Sequence, residues 1–137
     1  MLEITYEVRH DGAIPPVDVH DGVIDSFRLT GSIVSLEIAK PGARTEFLGL
    51  GLHDMMVSGF IKRPIVSEVL VWPIASAPIS ANDASFGFTH LRCGAGRSAL
   101  YRDRLIREQP GLKLLHILCS DGGPFTFLCD EVGIRSL

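Results

Sequence analysis

Val23-Ile24-Asp25-Ser26-Phe27-Arg28-Leu29-Thr30-Gly31-Ser32-Ile33-Val34-Ser35-Leu36-Glu37-Ile38-Ala39 holds two alternating runs about a turn. In the first run Val23, Asp25, Phe27 and Leu29 alternate with Ile24, Ser26 and Arg28, and in the second Val34, Leu36 and Ile38 alternate with Ser35 and Glu37. Successive side chains of a strand point to opposite faces, so alternation on both sides of Thr30-Gly31-Ser32 reads as a β-hairpin. The rhythm extends over the whole stretch from His20 to Trp72. Lys40-Pro41-Gly42 turns the chain into a third strand over residues 43–50, because proline pre-sets φ and glycine supplies positive φ. Gly49 and Gly51 bracket Leu50, residues 52–58 read as a further short strand, and Ile65 to Trp72 is a β-branched strand ended by Pro73.

Working outward, Leu2, Ile4, Tyr6 and Val8 alternate with Glu3, Thr5 and Glu7 and predict a half-buried first strand. His10 to Val19, with Asp11-Gly12 and Pro15-Pro16, is a loop. At the other end, the nearly continuous apolar run 112–119 predicts a central strand, and residues 124–134 pair with it about Ser120-Asp121-Gly122-Gly123. Residues 73–98, rich in Ala, Ser, Pro, Gly and Asn, read as a long irregular excursion with at most a brief strand at Phe86-Gly87-Phe88. Ser98 is positioned to cap a short helix over 99–108, with Leu100, Leu105 and Ile106 on its apolar side and Pro110-Gly111 as its stop. The expected architecture is all-β and mainly antiparallel: a β-sandwich or partly open barrel of seven or eight strands with at most one short helix near residues 99–108. No βαβ rhythm is present. The chain reads as a single domain over residues 1–137.

His20-Asp21-Gly22-Val23-Ile24-Asp25-Ser26-Phe27, the hairpin, and Thr45-Glu46-Phe47-Leu48-Gly49-Leu50-Gly51-Leu52-His53-Asp54-Met55 together resemble a group of small bacterial all-β proteins. Some of these look like immunity proteins of bacterial toxin systems. The resemblance covers roughly residues 18–72 and the last hairpin, and implies a fold rather than a set of functional residues.

Hydrophobic residues make up 46% of the chain and charged residues 21%, a little under the usual globular quarter. No run approaches the roughly 18 apolar residues of a membrane span, so a buried self-association surface is the natural sink for the excess. The net charge of −3, from 13 basic and 16 acidic residues without a basic stripe, argues against a nucleic-acid partner. Arg92, Arg97, Arg102, Arg104 and Arg107 read as a solvated helix face. Three cysteines, with no CxxC and no secretory leader, point to reduced thiols and a cytoplasmic location.

Three His-Asp dipeptides occur, at His10-Asp11, His20-Asp21 and His53-Asp54. Imidazole with carboxylate is a usable metal set or acid–base pair, so His10, His20 and His53 are the metal candidates. Two of the three precede glycine, where aspartate turn chemistry is the simpler reading. His-x-x-Cys occurs at His90/Cys93 and His116/Cys119, but in a strand an offset of three puts His116 and Cys119 on opposite faces, which disfavours shared zinc ligation. Gly94-Ala95-Gly96-Arg97-Ser98 lacks the Lys-Ser/Thr of a phosphate loop, and leaves Arg97 and Ser98 as candidates for anion or small-ligand binding. Trp72, Met55 and Met56 are interface candidates, with core packing the preferred reading for each. There is no Gly-x-Ser-x-Gly elbow and no legible catalytic residue, and Cys119-Ser120-Asp121 is a hairpin end. The leading expectation is therefore a non-catalytic, self-associating interaction module with no cofactor and no membrane or nucleic-acid partner. The alternatives are a small metal-assisted hydrolase using the His-Asp pairs and an anion or small-ligand binding domain.

Overall fold

The computed structural model describes residues 2–59, 62–79, 87–92 and 95–137. The chain runs β1 (Leu2–Glu3), β2 (Val23–Thr30), β3 (Ile33–Lys40), β4 (Ala43–Val57), β5 (Val66–Pro73), a 3₁₀ turn (Ile74–Ser76), α1 (Gly87–Arg92), α2 (Ala95–Glu108), β6 (Lys113–Cys119) and β7 (Phe125–Ser136). Six strands lie in the order β2-β3-β4-β7-β6-β5, with the two-residue β1 added on β7. Every ladder is antiparallel, as expected. The described strands form one sheet rather than the two layers of a sandwich. That sheet is not closed: its edge strands meet at a single bridge, Val23 to Ile65, flanked by Val66 N–H to Gly22 C=O at 2.7 Å.

The two faces of the sheet bury different partners. On the inner face, Val34, Leu36, Phe47, Val71, Ile117, Phe125 and Phe127 form the main core, capped by Ile14 and Val19 from the loop that follows β1. Phe27 reaches across to Phe125 and Phe127 with ring centroids 6.0 and 6.1 Å away. On the outer face, Leu70, Trp72, Leu114 and Leu128 pack under Phe88 and Leu91 of α1 and Leu105 of α2. Strands β5 and β6 are covered on both sides, and this is why their sequences read as nearly continuous apolar runs.

Several expectations are corrected. The first strand is cut to two residues, because Tyr6 turns inward to donate its hydroxyl to Val132 C=O at 2.6 Å while Arg9 N–H pairs back to Ala13 C=O. Residues 43–57 are one strand, not two: Gly51 adopts φ +65° and absorbs an irregularity in register between Leu52 and Asp54. The excursion contains helix where a brief strand was expected. Gly87 and Phe88 open α1, while Phe86 lies outside the described residues. Helix α2 begins at Ala95, so Ser98 is inside it rather than its cap. Tyr101 and Leu105 turn toward the core, and Leu100 is 75% exposed. Among the described residues no helix is long and apolar enough to cross a membrane.

Candidate functional site

Beneath α1 the apolar outer-face core is interrupted by a chain of polar side chains. Register places His116 of β6 directly opposite Thr126 of β7, and Thr126 opposite Met56 of β4. Two residues beyond Met56, Ser58 follows the end of β4, its backbone N–H tied to Pro124 C=O at 3.1 Å. His90 enters from above on α1. That helix is fixed by Phe88 N–H to Pro78 C=O at 3.2 Å, by Ser98 Oγ to Phe88 C=O at 3.0 Å, and by a hydrogen bond from Thr89 to Ile79 C=O. Gly87 is required at its start: φ is +55°, and a Cβ would meet Pro78 O at 2.3 Å.

The four side chains form a continuous hydrogen-bonded wire. Ser58 Oγ lies 2.6 Å from His90 Nε2, His90 Nδ1 lies 2.5 Å from Thr126 Oγ1, and His116 Nδ1 lies 2.7 Å from the same Thr126 oxygen. The two imidazoles meet edge to face at 6.2 Å. His90, Thr126 and His116 are buried, whereas Ser58 is half-buried and opens the wire to solvent. Burial holds the His90 imidazole below its ordinary value, so its ring is neutral at pH 7. A threonine hydroxyl carries one hydrogen and therefore donates to only one ring, so at least one of the two histidines must bring its own Nδ1–H. Buried polar groups of this kind are costly unless satisfied, and a neutral imidazole in contact with a half-exposed hydroxyl is a proton acceptor held in place.

The residues singled out from sequence fall elsewhere. His10 is exposed in the first loop. His20 faces Ser67 C=O at 2.8 Å and its neighbour Asp21 at 3.5 Å, while His53 pairs with Asp130 at 3.0 Å. Among the described residues no three His, Cys, Asp or Glu side chains gather as metal ligands. Arg97 is exposed on α2, beside Tyr101, Arg104 and Arg107. Ser98 is fully buried and spends its hydroxyl on α1, which removes it as a ligand contact. Trp72 is a core residue of the outer face, packed against the backbone of Gly12. Met55 and Met56 pack on opposite faces of the sheet and so form no common patch.

His116 and Cys119 do fall on opposite faces, as their spacing requires; Cys93 and Gly94 lie outside the described residues. Burial, reinforced by Asp121, pushes the Cys119 thiol up to about 11, and burial with Asp130 pushes Cys129 up to about 12. Asp121 accepts from Ile65 N–H at 2.7 Å, which ties the turn between β6 and β7 to the residue that precedes β5 rather than to its own backbone. Ser58 and Thr126 carried no local signal at all. The one available hint was His116, a polar residue in the middle of a strand otherwise apolar on both faces.

No protein-family model, no curated protein and no solved structure matches this chain.

Proposed function

We propose that the protein is a small serine hydrolase acting on acyl compounds, with Ser58 as nucleophile and His90 as its general base. The observation that carries this reading is Ser58 Oγ at 2.6 Å from Nε2 of a buried His90. Oγ bonds to the acyl carbon as its proton passes to Nε2, and the leaving group departs with that proton. Water, giving a proton to His90, then attacks the acyl-serine, and the proton returns to Oγ as the acid is released. Fluorophosphonate labelling followed by peptide mass analysis tests the assignment. Stoichiometric modification of Ser58 is expected, absent in Ser58→Ala and slowed about 100-fold or more in His90→Gln. A folded wild type that is not labelled at Ser58, or labelling indifferent to a folded His90→Gln, would falsify it.

A second reading, self-association, is favoured by the part of the outer face that the helices leave open. There Ile33 is 43% exposed and Leu48 and Leu50 are half-buried. Register sets Arg28, Ser35, Leu48 and Gly133 in one row and Ile33, Leu50 and Glu131 in the next. The apolar strip thus has a cation on its β2 side and a carboxylate on its β7 side. A second copy laid on it about a two-fold axis would set the Arg28 guanidinium of each protomer beside the Glu131 carboxylate of its partner. The mass of the species in solution, with and without charge introduced on that face, tests this reading.

A further inference from the structure

We propose that the open edge of β2 is a docking site for an extended peptide of alternating apolar and acidic residues, taken up as an additional strand. The edge strands of the sheet part after a single bridge. Val23 lies opposite Ile65, and Ile24 N–H reaches Pro64 C=O at 2.9 Å. One residue earlier, Arg63 takes φ +57°, a left-handed turn that carries the chain away from β2. The rest of β2 has no neighbour on that side among the described strands. Counting back from the two-residue turn Gly31-Ser32, Thr30, Arg28 and Ser26 exchange hydrogen bonds with β3, so the N–H and C=O of Phe27 and Leu29 point away from it. Neither residue has another backbone partner among the described residues. Two donors and two acceptors in register make this edge a template for a further strand.

The side chains define the guest. Phe27 and Leu29 share the inner side of β2, Phe27 half-buried against Phe125 and Phe127 and Leu29 51% exposed. Guest residues set beside them on that side are therefore apolar. Between them Arg28 faces the outer side, exposed, with Glu37 at 3.7 Å. Where the edge strands part, a cleft of about 340 Å³ is lined by Ile24, Asp25, Ser26, Phe27, Lys62 and Arg63. Four cations, Arg28, Arg44, Lys62 and Arg63, thus stand around two carboxylates, Asp25 and Glu37, in a chain of net charge −3. Acidic guest side chains on the outer side answer the unmatched positive charge. A second copy of β2 would instead bring its own Arg28, Lys62 and Arg63 against like charges.

The test is amide hydrogen exchange by NMR on the full-length protein, with and without a short peptide of alternating valine and glutamate. In the free protein, Phe27 and Leu29 are expected to exchange fast between slower Ser26, Arg28 and Thr30. Saturation with the peptide should slow Phe27 and Leu29 by about tenfold or more. The same peptide with lysine in place of glutamate should bind about tenfold more weakly or worse, and Arg28→Glu/Lys62→Glu should reverse that preference. Leu29→Pro removes one outward N–H without touching the ladder to β3, so it should abolish binding, whereas Leu29→Ala retains it. The exchange pattern and the charge preference stand whether or not Leu29→Pro folds. The proposal is overturned by a glutamate peptide that does not bind, by equal affinity for the two peptides, or by binding that leaves Phe27 and Leu29 exchanging as before. Slow exchange of both amides in the free protein that fades on dilution gives the edge to a second copy, and overturns the acidic guest.

Discussion

At the scale of single residues, burial decides how this protein responds to acid. His90 is held below the ordinary imidazole value of 6.5 because its charged form would lose hydration. Its unfolded form binds a proton that the folded form refuses, so the associated stability is complete above that value and is lost as pH falls below it, by up to about 1.4 kcal/mol per pH unit. Denaturant titrations between about pH 5 and 7 should show stability falling with pH in wild type and a shallower slope in His90→Gln. Glu46 acts in a lower window. Burial pushes its carboxyl up, but hydrogen bonds from Ser35 at 2.8 Å and from Arg135, with the charges of Arg135 and Arg28, bring it below 4.5. That stability is present above the ordinary carboxylate value and lost as pH falls through the lowered one.

At the scale of elements, β4 shows what alternation reveals and what it hides. The hairpin of β2 and β3 was legible in its bounds, and β3 keeps period two between an inner apolar face and a wetter outer one; in β2 an irregularity in register between Ile24 and Ser26 breaks the alternation, so that Ile24 and Phe27, expected on opposite faces, share the inner core. Gly49 and Gly51 bracket Leu50, where the third strand was expected to end, yet each holds a close approach within one strand: a Cβ at Gly49 would meet Val34 Cγ1 at 2.7 Å, and one at Gly51 would meet Asp130 Oδ2 at 2.0 Å. Gly51→Ala should therefore lose about 2 kcal/mol, from the left-handed backbone and from displacing Asp130 off His53. In an Asp130→Ala background the same substitution should lose about half as much, as read by urea denaturation; equal losses in the two backgrounds would remove Asp130 from the account. Helices α1 and α2 were partly hidden because each has a weak helix former in its first turn, Gly87 in α1 and Gly96 in α2, and packing of Phe88, Leu91 and Leu105 overrides that weak propensity. The polar wire was not legible for a different reason. Its four members come from the end of β4, from α1, from β6 and from β7, so no fixed spacing joins them and each alone looks like an ordinary loop, helix or strand residue.

At the scale of the whole molecule, the open half of the outer face predicts an oligomer. Light scattering after size exclusion should find a dimer that dissociates in Leu48→Glu/Leu50→Glu, with the Ser58 labelling rate of the monomer unchanged. A wild type that stays monomeric at high concentration removes the self-association reading and leaves the hydrolase reading standing. The central ladder carries one more consequence. Strands β4 and β7 pair from Thr45 with Ser136 to Val57 with Phe125, partners about 70 to 90 residues apart in the chain. The β2-β3-β4 meander and the β6-β7 hairpin close over short loops, but the step that joins them has to wait for a long loop to close, at an entropic cost local pairing never meets. During synthesis, β4 therefore leaves the ribosome with a bare edge and keeps it until residues 125–136 emerge, so the sheet forms late, from its flanks inward, and its most extensively paired strand is the last to find its neighbour.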